Sequence, residues 1–109
     1  MNDRELLELA AKAVEYKYSD IEFAGESGLQ LLSPNPRSNW NPLEDDGDAL
    51  RLVVKLRIDI RNFTGASCCI SASSKNIAED SDEDYWVNPY ASTRRAIVRA
   101  AAEIGKQIP

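Results

Sequence analysis

Asp45-Asp46-Gly47-Asp48-Ala49-Leu50-Arg51-Leu52-Val53-Val54-Lys55-Leu56-Arg57-Ile58-Asp59-Ile60-Arg61-Asn62-Phe63 changes its period half-way along, and that change decides the fold class. Asp45 or Asp46 suits a helix start, because a short acidic side chain accepts from the first free amides. Ala49, Leu50, Leu52, Val53, Val54 and Leu56 then follow so densely that the spacing predicts a helix apolar around much of its girth, and therefore well buried. From Arg57 the pattern alternates. Ile58 and Ile60 fall on one face and Arg57, Asp59 and Arg61 on the other, which predicts a half-buried strand with a solvated side.

Working outward, Gly65 marks a turn, and Ser67 to Ala72 predicts a second strand with Cys68, Ile70 and Ala72 on one face. Ser73 to Asp84 is polar and acidic and reads as a loop, followed by a short third strand at Tyr85-Trp86-Val87. Asn88 and Pro89 then start a last helix, since proline at the first helical position gives up an amide that has no partner anyway. Its inner stripe is expected to be Tyr90, Thr93, Ile97, Ala100, Ala101 and Ile104, with Arg95, Arg99 and Lys106 outside and Gly105 near the end. At the other terminus residues 2 to 17 predict a helix: Asn2 caps, Glu5 sits three residues on, and Leu6, Leu9, Ala10, Ala13 and Val14 recur at helical spacing. Residues 19 to 39 fit a weak hairpin or an irregular arm closed by Pro34 and Pro36. Trp40 and the turn dipeptide Asn41-Pro42 lead back to the quoted stretch. The expected architecture is α+β, helices packed on a small, mainly antiparallel three-stranded sheet as a layered α/β/α sandwich. With 109 residues, it forms one domain over 1–109.

Composition removes whole classes of chemistry. A hydrophobic share of 43% against 28% charged residues is that of a folded chain. Histidine is absent, which excludes Ser-His and Cys-His nucleophiles, His-ligated zinc and the usual general base near neutral pH. The net charge of −5, with a pI near 4.7, argues against direct contact with nucleic acid or an anionic membrane. The polar, acidic start is not a secretory signal, and no apolar run reaches the roughly 18 residues a membrane span needs. Cys68 and Cys69 are neighbours that cannot easily pair with each other, so a reducing cytoplasm is expected. No phosphate-cradling glycine loop occurs, no cofactor is called for, and no catalytic residue stands out.

Half of the 18 acidic residues lie in two runs, Glu44, Asp45, Asp46 and Asp48, and Glu79, Asp80, Asp82, Glu83 and Asp84. Asp80, Asp82 and Asp84 fill positions one, three and five of a calcium loop, but Tyr85 stands where glycine is needed and Ala91 where glutamate is. The first run fails in the same way at Ala49 and Lys55, so no metal ligands are assigned. Paired carboxylates doing glycosidase chemistry need one acid shielded from water, whereas these sit on polar segments. Arg94, Arg95, Arg99 and Lys106 belong to a helix whose later turns favour positive charge on dipole grounds. Acid beside an aromatic residue suits another use, docking on a basic protein surface. Trp40, Glu44, Asp45, Asp46, Asp48, Asp80, Asp82, Glu83, Asp84 and Trp86 are the candidate partner-binding residues.

Three segments carry a resemblance: Glu5 to Ala13, Trp40-Asn41-Pro42-Leu43-Glu44-Asp45-Asp46-Gly47-Asp48-Ala49-Leu50-Arg51-Leu52, and Pro89 to Gly105. Together they resemble the phage ABA sandwich domain proteins, small chains of bacteriophages and prophages. The resemblance implies a layered helix-sheet-helix fold and a gene product working in the cytoplasm of the bacterial host. It brings no activity, and no catalytic residue carries over. The function expected is a non-enzymatic inhibitor of the anti-defence or anti-CRISPR type, which holds a host protein with a basic surface, such as a nucleic-acid-handling defence complex. A self-associating assembly or packaging module, as a homodimer for instance, is the alternative, and a divalent-metal hydrolase ranks below both.

Overall fold

A computed structural model describes residues 2–19, 28–33, 35–63, 69–74, 77–80 and 89–108, with the backbone alone for 61–63, 69–74 and 77–80. Helix α1 (Asp3–Ala13) is capped by Asn2, whose side chain accepts from the Glu5 amide at 2.8 Å. It ends four residues before the expected limit. Glu15 takes a left-handed conformation (φ 62°), which turns the chain so that β1 (Lys17–Tyr18) reaches its sheet partner. β1, β2 (Leu29–Ser33) and β3 (Arg37–Trp40) form an antiparallel sheet in that order. β2 and β3 form a hairpin whose connection includes Pro36, so that proline lies inside the hairpin where it was expected to close the segment, and the alternating Ile21-Glu22-Phe23 lies outside the described residues. At its mouth Gly28 donates to the Asn39 side chain, and a Cβ there would collide with that side chain and the Trp40 carbonyl.

Helix α2 (Asp46–Leu56) is capped by Asp45, which accepts from the Asp48 amide at 2.8 Å. It closes through Arg57, left-handed at φ 54°, and leads after one buried residue, Ile58, into β4 (Asp59–Phe63). β4, β5 (Cys69–Ser74) and β6 (Ile77–Asp80) make a second antiparallel sheet, with Asp59 facing Ser73 and Ser71 facing Asp80. The α+β class with helices on a three-stranded antiparallel sheet is what the protein adopts. Two expectations change. Residues 73–74 and 77–80, read as loop, lie in strands β5 and β6, and the segment up to Trp40 supplies a further sheet. The strand anticipated at Tyr85-Trp86-Val87 and the Asn88 cap lie outside the described residues.

Helix α3 (Pro89–Lys106) is the hub: α1, α2, β5 and β6 all pack on it. Close approach follows from small residues. Ala10 and Ala11 of α1 and Ala100, Ala101 and Ala102 of α3 are buried, and a Cβ on Gly105 would run into the Leu9 carbonyl oxygen. Gly105 is therefore a crossing point for α1 as well as lying near the helix end, one residue before α3 stops at Lys106. Leu7, Leu29, Leu52 and Trp40 fill the remaining core.

α2 is not buried around its girth. Ala49, Leu52, Val53 and Leu56 face the core, whereas Leu50 and Val54 lie about 100–140° around the helix and are 60% and 71% exposed. Tyr90, placed on the inner stripe of α3 by its spacing, is 70% exposed. It sits in the first turn of the helix, one turn before Arg94. Among the described residues no helix is long and apolar enough to cross a membrane.

Candidate functional site

The acidic run at 44–48 divides four ways once folded. Asp48 is fully buried, and its carboxylate accepts from both terminal nitrogens of Arg37, from Arg51 Nη1 at 3.3 Å and from the Asn41 amide at 3.0 Å. This ties β3, the Asn41-Pro42 turn and the first turn of α2 to one group. The Asp48 hydrogen bond and charge hold the Arg37 guanidinium above the usual arginine range, in spite of some desolvation. Asp45 is spent on the cap. Asp46, exposed, pairs with Arg94 Nη1 at 2.6 Å, while Arg94 Nε donates to the Leu43 carbonyl at 2.8 Å. Glu44 is exposed on the turn.

Two of the candidate binding residues therefore lie away from the surface expected of them. Asp48 offers no free carboxylate, because removing it from water is compensated only by its four donors. Trp40 is 1% exposed and packs edge-on against Tyr16, ring centroids 5.7 Å apart, with the Lys55 ammonium 5.1 Å from the Tyr16 ring centre. It is a core residue and not an anchor on the surface. Asp80 lies on β6, at an edge of its sheet, and Glu79 precedes it. Asp82, Glu83, Asp84 and Trp86 lie outside the described residues.

Beside the Asp48 cluster is a cavity of about 430 Å³, lined by Tyr16, Leu31, Asn35, Arg37, Asp45 and Arg51 among others. Arg37 and Arg51 line it with Asp45, and the buried Asp48 carboxylate accepts from both guanidiniums. Among the described residues no three His, Cys, Asp or Glu side chains stand where they would hold a metal ion. The basic residues of α3 act as ties between helices: Arg94 to the α2 turn and Arg95 to Asp3 at 3.2 Å.

Sequence spacing missed one feature. Leu50 on α2, Ile60 on β4 and Tyr90 on α3 are exposed apolar side chains around a groove of about 300 Å³, and Val54, one turn on from Leu50, is exposed as well. The Asp46–Arg94 pair stands at its margin. The signal available in the sequence was the separation of Leu50 and Val54 by one turn, off the stripe through Ala49, Leu52, Val53 and Leu56.

Compared with known proteins, the chain matches no family model, no curated protein and no solved structure.

Proposed function

We propose that this chain acts by binding and not by catalysis. It is an accessory protein of phage type that occupies a basic surface of a host protein in the bacterial cytoplasm and blocks it, as an anti-defence or anti-CRISPR inhibitor does. The observation that carries this reading is how much of the first acidic run the fold uses up, set against the second run in the sequence. The run at 44–48 is largely absorbed by the fold, as a buried hub, a helix cap and an ion pair. The run from Glu79 to Asp84 begins on an edge strand, and its five acids equal the whole net charge of −5. A cluster of like charge steers a basic partner, raising the rate of encounter. The binding residues assigned are thus Asp80, Asp82, Glu83 and Asp84, with Trp86 next to them in sequence and Glu44 and Asp46 as outlying charge. Trp40, Asp45 and Asp48 leave that set.

The test is capture of a partner from nuclease-treated bacterial lysate by the tagged chain and by a triple variant, Asp80→Asn, Asp82→Asn and Asp84→Asn. The reading predicts one protein held by the parent chain in low salt, shed in high salt, and not held by a folded variant. A partner held equally by both chains refutes the assignment to this edge.

A further inference from the structure

Among the described residues the sheet β4–β5–β6 has two open edges, and they differ in chemistry. β6 ends in Glu79 and Asp80, so two copies meeting there would gather four acids without a base in either strand. β4 reads Asp59-Ile60-Arg61, an acid and a base two residues apart with isoleucine between. Its neighbour is the apolar groove of Leu50, Val53, Ile60, Tyr90 and Ile97, which three elements share and which none of them fills. Leu50, Ile60 and Tyr90 are all exposed there, although burying large apolar side chains is the main favourable term in association.

We infer that a second copy of this chain covers the groove, its β4 pairing antiparallel with the first across a two-fold axis at Ile60. The register follows from charge. An axis normal to the sheet passes through one residue of β4, and each choice sets different pairs across it. At Asp59 it opposes two aspartates and at Arg61 two arginines, both unfavourable. At Asn62 it makes no opposite-charge pair. At Ile60, Asp59 of each copy lies across from Arg61 of the other, twice over. Ile60 meets its own mate on the face that carries Leu50 and Tyr90. The dimer is a continuous six-stranded sheet with an acidic β6 at each end, so the proposed inhibitory edge stays open on both copies, and neither proposal depends on the other.

Sedimentation equilibrium of the full chain tests this. The inference predicts a species of twice the 12.1 kDa chain mass at concentrations on the order of tens of micromolar. Asp59→Arg and Arg61→Asp, each opposing like charges, should weaken association at least about tenfold, and the double variant should restore it. Leu50→Lys, on the solvent side of α2, should also give monomer with an unchanged far-UV circular dichroism spectrum, which separates lost association from lost fold. A parent chain monomeric throughout the range overturns the inference. So does a folded Asp59→Arg chain that remains dimeric, or a folded double variant that remains monomeric.

Discussion

Replacing Asp48 by alanine removes one buried acceptor from four donors, and the structure allows the cost to be apportioned. The Asn41 amide is buried and loses its partner, at about 1–3 kcal/mol. Arg37 is 41% exposed and Arg51 64% exposed, so water takes over much of what the carboxylate supplied to them. Their combined loss is about 1–2 kcal/mol, well below that of a pair sealed from solvent. The sum is about 3 kcal/mol, which for a domain of this size lowers Tm by roughly 10–15 °C. Arg37→Ala should cost about as much, because it leaves a fully buried carboxylate short of its two-pronged partner. Arg51→Ala should cost less than about 1 kcal/mol. The pH dependence follows from Arg37, whose protonation is favoured in the folded state chiefly by its hydrogen bond to Asp48. A raised pKa on a base gives stability that is fully present below its unfolded value and lost only as pH rises through the folded one. Both lie beyond the alkaline end of the working range, so the Arg37 contribution should be level through neutral pH. Thermal melts followed by circular dichroism check all three variants. A shift below about 3 °C for Asp48→Ala, or an Arg51→Ala penalty equal to that of Arg37→Ala, would refute this account of the hub.

Two further changes test the backbone. Gly105→Ala puts a methyl group against the Leu9 carbonyl, so α1 and α3 must separate; a loss of about 2–3 kcal/mol is expected in urea titration, against a gain if the residue were an ordinary helical glycine. Glu15→Gly and Arg57→Gly relieve left-handed positions at φ 62° and 54° and should each raise stability by about 0.5–1 kcal/mol in the same titration; a loss at either site would show that the side chain contributes more than its strain costs.

What the sequence made legible was local chemistry. The Asn2 and Asp45 caps and the Pro89 start each depend on a few consecutive residues and appear where expected, whereas the alternating strand expected from Arg57 begins at Asp59, because Arg57 closes α2. Long-range partners were not legible. Asp48 looks like any acid of a surface run until Arg37, eleven positions earlier, and the Asn41 amide are brought to it. Trp40 beside a polar turn reads as exposed until Tyr16 and the sheet close over it. β6 has no apolar alternation to announce it, because a strand at an edge takes its hydrogen bonds from β5 whatever its side chains are. Periodicity also overstated burial on α2 and at Tyr90, since apolar spacing gives a stripe its direction but not its cover.

Function turns on whether the acidic edge holds a partner. The most direct measurement is salt-dependent capture by the parent chain beside its Asp80, Asp82 and Asp84 triple-asparagine variant, with circular dichroism confirming that both are folded. One protein bound by the parent alone, and released as salt rises, is the result predicted. Equal retention by both chains, indifferent to salt, would contradict the claim that this edge does the binding.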